Sequence, residues 1–297
     1  MKPSTPNQPA VMPDARSGRK LADTITNLLE SGDLRAAEHL CRRIYAAFPR
    51  WRYAKVMREF FDRLPPADGS HPTFADDLTK DLQVVRRENA DSVVLLFCGF
   101  DHRMGVSLSA MHRWFGRLPA SLIYLRDFRS LFYLGGLPSL GGNADETISA
   151  LRDIIAALDG RRIFCCGCSG GVFAALHYGL VLGAEAVLAL AGPINLSAEF
   201  NAHLRSAKRV DRLWAEMPWA PAIDLRQSYT AAERPPRVLL VYGQNNWDDR
   251  LHAEYMEGLP SVSLDALEGE EGHAVNFALI INGLFESKLD WLLSAKH

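Results

Sequence analysis

Long apolar runs are missing from this 297-residue chain, and none reaches the roughly 18 residues that cross a bilayer, so no membrane span is expected. An excess of either charge is missing too. The chain has 33 Lys and Arg against 35 Asp and Glu, a formal net charge of −2 at pH 7. That balance offers nothing to hold nucleic acid or an anionic lipid surface, so neither is expected as a partner. Cysteines are few and odd in number: Cys41, Cys98, Cys165, Cys166 and Cys168. A disulfide framework is therefore not expected, and reduced thiols on core strands point to the cytoplasm. Cys165 and Cys168 form a C-x-x-C, but no second ligand pair accompanies it, so neither a zinc nor a redox site is expected. Residues 1–19 hold four prolines and no apolar core. They read as a disordered tail rather than a secretory signal.

What is present divides into two characters. Residues 20–64 read as helical throughout: Asp23 to Glu30, Leu34 to Phe48 and Arg52 to Arg63, with breaks at Gly32-Asp33 and Pro49. Gly32, Ala37 and Pro49 stand at the spacing of a tetratricopeptide repeat, and the stretch resembles one unit of it. Ile44 departs from that pattern, because a small residue belongs there, and a single unit cannot bury a core alone. A lone helical hairpin is expected, docked on the main body or offering a surface to a protein partner. Pro65-Pro66-Ala67-Asp68-Gly69-Ser70 then marks a linker, taken as 65–80.

From 81 to 297 strands and helices alternate. Gln83 to Arg87 reads as a short strand. Ser92 to Cys98 is a nearly unbroken apolar run, as in a parallel strand buried on both faces. Further strands are expected at Ala120 to Leu125, Arg162 to Cys166, Ala186 to Ala191, Arg237 to Tyr242 and Ser261 to Leu264. Helices are expected at Leu108 to Phe115, Asp145 to Leu158, Val172 to Leu180 and Asn276 to Leu293. This pattern predicts an α/β chain with a mostly parallel, doubly wound sheet and right-handed crossovers. The alternation lapses between 195 and 236, which carries Trp214, Pro218, Trp219 and Pro221. That piece is a candidate cap, its tryptophans either lining a pocket or anchoring the loop.

The most informative motif is Gly167-Cys168-Ser169-Gly170-Gly171, directly between a strand and a helix. Glycines two before and two after the serine let helix and strand approach closely, and the tight turn holds the Ser169 hydroxyl clear of the backbone. A serine needs a base and an acid to become a nucleophile. Of the downstream histidines, His177 lies in the helix after the motif, His203 in the candidate cap, His252 in a later helix and His297 at the end. His273 stands in a polar glycine-containing loop before the last helix, where a base belongs. The acid is expected after Tyr242-Gly243, as Asp249 or its neighbour Asp248. Asp249 is preferred, with Asp248 as the solvated helix cap. The position three beyond the glycine holds Asn246; in the α/β-hydrolases that this order of residues resembles, an acid is commonest there.

With serine, acid and histidine in that order, the segment from about Val93 to Leu293 resembles an α/β-hydrolase. The resemblance implies a Ser169-Asp249-His273 triad, with no metal and no organic cofactor. It implies ester, thioester or amide cleavage through an acyl-enzyme. Two backbone N–H groups should hold the oxyanion, Gly170 after the nucleophile and Phe100 in the loop after Cys98. His102 and Arg103 face the same cleft mouth, as readers of an anionic substrate group or as an exposed turn. The run from Ile123 to Phe128, with Tyr133-Leu134-Gly135-Gly136, is unusual but offers no mechanism. Three functions fit: a serine hydrolase acting on a small or medium acyl ester or thioester, an acyltransferase on the same triad, or a hydrolase-like interaction protein that has lost activity.

Overall fold

A computed structural model of the protein describes residues 12–67, 69, 72–218 and 224–294. Within them seven strands and twelve helices follow in order: α1 Ala15–Glu30, α2 Leu34–Ala47, α3 Arg52–Arg63, β1 Leu82–Val85, β2 Ser92–Phe97, α4 Leu108–Phe115 and β3 Ser121–Leu125. There follow α5 Ala144–Ala157, β4 Arg162–Cys168, α6 Gly171–Leu182, β5 Ala186–Leu190, α7 Ala198–Asn201, α8 Ala207–Glu216 and α9 Leu225–Ala231. The chain closes with β6 Arg237–Gly243, α10 Trp247–Glu254, β7 Val262–Leu267, α11 Val275–Ile281 and α12 Phe285–Leu293. No helix among the described residues is long and apolar enough to cross a membrane.

The strands form one sheet in the order β1-β3-β2-β4-β5-β6-β7, parallel except for β1 at the edge. Alternate residues of β2 enter opposite cores, as the two-residue period of a strand dictates. Val94 and Leu96 pack with α4, α11 and α12, while Val93, Leu95 and Phe97 pack with α5 and α6. The order reverses between β2 and β4, because β3 turns one way and β5 the other. In an open sheet that reversal leaves a crevice at the carboxyl ends of the strands, where ligands bind.

The N-terminal helices differ from expectation in where they start, and they take the first of the two settings expected, docked on the main body. Helix α1 opens at Ala15, inside the expected tail, because Asp14 caps it by accepting from the Arg16 and Ser17 N–H groups. The remainder of that tail, residues 1–11, lies outside the described residues. The apolar faces of α1 to α3 pack onto the sheet body in one continuous core, with Phe60 stacked on Phe277 at 5.3 Å. The expected linker is also fastened down. Its Phe74 ring lies 4.6 Å from Tyr124 and 4.9 Å from His112. Asp76 makes a buried ion pair with Arg126. Asp68, Ser70 and His71 lie outside the described residues. One helix expected from Asn276 to Leu293 is two, broken where Gly283 takes φ +69°.

The glycines around Ser169 have steric reasons. A Cβ on Gly167 would stand 2.5 Å from the Gly171 carbonyl oxygen, and one on Gly171 would stand 2.2 Å from that of Phe97. Both partners are backbone and cannot yield cheaply. Gly171→Ala is expected to cost about 3 kcal/mol in urea unfolding; a variant within 0.5 kcal/mol of the parent, about the scale of a surface substitution, would show that α6 and β2 can separate.

Candidate active site

Ser169 follows β4 and precedes α6 at the sheet's reversal point. Its φ is +53°, a left-handed conformation costly to a residue with a Cβ. Its N–H donates to the Leu190 carbonyl at 3.0 Å, and its carbonyl accepts from Val172 at 3.0 Å. The hydroxyl therefore projects from a fixed turn. His273 arrives from the loop after β7, and its Nε2 lies 2.7 Å from Ser169 Oγ. Its Nδ1 lies 2.9 and 2.8 Å from the two carboxylate oxygens of Asp249, which is buried in the first turn of α10. A carboxylate on Nδ1 fixes the tautomer that leaves Nε2 free to accept a proton from the serine.

The sequence left two acids open, and only one meets the histidine. Asp248 turns away to Arg205, accepting from its Nε at 2.5 Å and its N–H at 3.1 Å. The expected role of Asp248 as helix cap belongs to Asn246, whose Oδ1 accepts from the Asp249 N–H at 3.3 Å. Asn246 Nδ2 also donates to the Glu271 carbonyl at 3.1 Å. The residue that departs from the common acid position thus ties the acid's loop to the histidine's loop.

The loop after β2 brings Phe100 beside the serine. A Cβ at Gly170 would stand 2.6 Å from the Phe100 ring, so the ring lies against the Gly170 backbone. Among the described residues neither the Phe100 nor the Gly170 N–H donates to any intramolecular acceptor. Arg103 does not face the cleft. It pairs with Glu30 of α1 and fastens the N-terminal helices to this loop. His102 packs edge-on to Phe128 at 4.9 Å, and its carbonyl accepts from Arg126 Nε at 3.0 Å.

Arg126 and Asp127 do not pair with each other. Arg126 reaches the Asp77 and Lys80 carbonyls at 3.2 and 3.3 Å, besides Asp76 and His102. Asp127 accepts from the N–H groups of Arg129, Leu131 and Tyr133 at 3.0, 2.7 and 2.8 Å. This carboxylate holds a turn in which Ser130, Phe132 and Tyr133 all take positive φ. The turn delivers Phe132 to the cleft wall, where its ring meets Phe100 at 4.9 Å.

The resulting cavity is about 400 Å³ and opens above Ser169. Its far wall comes from the expected cap, whose helices α7 and α8 bring Arg205 and Arg209 over the site. Trp214 anchors that segment by donating to the Leu196 carbonyl at 2.8 Å. Trp219 and Pro221 lie outside the described residues. The sequence reading missed Phe132, Arg205, Arg209 and His252 as cavity residues, and only tertiary placement reveals them. His203 is exposed, His177 packs near Phe173 within α6, and His297 lies outside the described residues. Cys165 and Cys168 are buried free thiols, with burial pushing both pKa values up. Among the described residues no cluster of three or more His, Cys, Asp or Glu is placed to hold a metal.

His252 is buried on the cavity wall, and its Nδ1 accepts from the Ile194 N–H at 3.3 Å. Burial holds its pKa down at about 4, against a weaker opposite pull from Asp248. The unfolded chain takes up this proton near pH 6.5 and therefore binds more protons between pH 6.5 and about 4. Stability is thus complete above pH 6.5 and lost as the pH falls toward about 4, by up to about 3 kcal/mol. Urea unfolding across that window checks this, and His252→Asn should flatten the decline. An equally steep decline in the variant would exclude His252 as its source.

No family model matches the chain, and no curated protein matches it. Solved structures do. The capsule O-acetyltransferase of Neisseria meningitidis serogroup A superposes with TM-score 0.50 at 11% identity, covering 75% of this chain and 99% of that one. MenH from S. aureus gives 0.49 at 13%, over 72% and 97% of the two chains. A hormone-sensitive lipase from a metagenome library gives 0.49 at 17%, over 80% and 90%. The likeness is one of fold. With its single reversed edge strand and its serine turn at the reversal point, the chain has the α/β-hydrolase fold.

Proposed function

We propose that the protein is a serine hydrolase cleaving a carboxylic ester or thioester through an acyl-enzyme. One observation carries the reading: the unbroken contact chain from Ser169 Oγ through His273 to Asp249 at the floor of a cavity. His273 Nε2 takes the Ser169 proton as Oγ bonds to the substrate carbonyl carbon. The carbonyl π electrons move to oxygen, and the Phe100 and Gly170 N–H groups hold the resulting oxyanion. Collapse expels the alkoxide or thiolate, which takes the proton from His273. Water then enters, gives its proton to the same nitrogen and releases the acid, while Ser169 recovers its proton. Asp249 orients the imidazole and stabilises its charged form without taking the proton.

An alcohol or amine entering in place of water would make the same machinery an acyltransferase. An inactive scaffold is disfavoured, because such a scaffold needs neither a strained serine nor a histidine held between it and a buried acid. Five buried free thiols agree with the cytoplasmic setting suggested by the sequence. The engaged apolar face of α1 to α3 leaves a small-molecule acyl substrate as the better supported partner. The test is intact-mass analysis after brief mixing with p-nitrophenyl butyrate. A transient adduct of one butyryl group, mapped to the peptide bearing Ser169, is expected. Turnover without an acyl adduct on Ser169, or an adduct on another residue, contradicts the mechanism. Adding alcohols to the same reaction separates the two activities, since only an acyltransferase yields the new ester.

A further inference from the structure

Three Asp carboxylates and two Arg guanidiniums line the cavity, and the two guanidiniums are not equally engaged. Each carboxylate is engaged by protein. Asp249 is held by His273. Asp248 binds the side chain and N–H of Arg205. Asp101 turns its Oδ1 back to the Arg103 N–H at 3.2 Å. Of the cations, His273 belongs to the serine, and Arg205 is taken up by Asp248 and by Asn246 Oδ1 at 2.9 Å. Arg209 is left. Its guanidinium lies 4.2 Å from the centre of the Phe100 ring, and among the described residues no carboxylate is within ion-pair distance of it.

Position gives that cation meaning. The Phe100 ring touches both Arg209 and the Gly170 backbone beside the nucleophile. The guanidinium lies over the ring and also lines the cavity, where a ligand can reach it. A guanidinium is a planar fork of donors that suits a carboxylate or phosphate, and an aromatic ring beneath it favours the cation in place. Arg209 comes from α8 and lines the same cavity as Ser169, so a group it reads shares that cavity with the scissile carbonyl.

We propose that Arg209 selects substrates that carry an anionic group, a carboxylate or phosphate, a few bonds from the carbonyl attacked by Ser169. This rests on the serine-hydrolase reading for the chemistry, but the recognition is a property of the cavity and can be measured without turnover. The anion has two sources, the acyl part or the leaving group, and paired substrates separate them. The acyl arm compares p-nitrophenyl hydrogen glutarate with its neutral methyl ester. The leaving-group arm compares butyryl-coenzyme A with S-butyryl-N-acetylcysteamine.

The readout is the ratio of kcat/KM, anionic over neutral, in the full chain. A ratio of about tenfold or more is expected in one arm. Arg209→Gln should bring it close to one, Arg209→Lys should keep part of it, and 0.5 M salt should reduce it. Because Arg209 touches Phe100, absolute rates also move in these variants, whereas the ratio isolates charge recognition. A flat ratio in both arms, or one unaltered by Arg209→Gln, overturns the proposal. Calorimetry on Ser169→Ala supplies the binding arm, with glutarate monoanilide against its methyl ester. Absence of turnover together with Arg209-dependent preference for the anion would sink the hydrolase reading and sustain this one. Equal binding of the two anilides, together with a flat ratio in the leaving-group arm, would overturn this one.

Discussion

Ser169→Ala is expected to lower kcat on an activated ester by about 10⁵- to 10⁶-fold while leaving the fold unchanged. The size follows from how the three groups act. Under the proposed mechanism Oγ forms the covalent bond, and it stands 2.7 Å from His273 Nε2, the nitrogen that would take its proton. His273→Ala should cost about as much, and the double variant little more, because a base without a nucleophile does nothing. The small remaining rate would come from water in a site that still holds the oxyanion on two N–H groups. Steady-state kinetics with p-nitrophenyl butyrate, with circular dichroism to verify folding, measures all three. Losses under tenfold would mean that another group performs the chemistry.

Asp249→Asn is expected to lower kcat by about 10⁴-fold, whereas Asp248→Asn should change it by less than tenfold. The neighbours differ only in what they face. Asp249 is buried and places both carboxylate oxygens within 2.9 Å of His273 Nδ1. An amide there would present a donor to Nδ1, favour the wrong tautomer and remove the charge that stabilises the imidazolium. Asp248 instead anchors Arg205, and its loss loosens the cap wall. The comparison is informative because both substitutions change one atom on the same turn of α10. Equal losses would mean that the wall, not the acid, matters.

Much of this was legible in the chain because it depends on near neighbours. The β2 run from Ser92 to Phe97 is buried at every position, and a continuous apolar stretch has few other places to go. The serine turn announced itself because its glycines answer to backbone atoms that every such turn brings close. The loop place of His273, between the last strand and the last helices, was legible, and in the fold that loop sets it against Ser169 and Asp249. Other features depended on distant partners. Nothing local marks Arg209 as a cavity residue, since only the path of α7 and α8 sets it over Phe100. Nothing local shows that Asp127 gathers three N–H groups of the following turn, or that Arg126 pins the segment before β1. Boundaries were misjudged where one residue decides them, as Asp14 does for α1 and Gly283 for the break before α12. Asn246 read as a missing acid, because its job of joining two loops exists only once both are folded.

The central claim is that Ser169 is an activated nucleophile. The most direct measurement is labelling of the purified protein with a fluorophosphonate probe, beside Ser169→Ala and His273→Ala. Such a probe bonds covalently to a serine whose proton an adjacent base removes. The geometry predicts labelling of the parent, none of Ser169→Ala, and a sharp fall in His273→Ala. A folded parent that takes no label, or a Ser169→Ala variant that still takes it, would contradict the account.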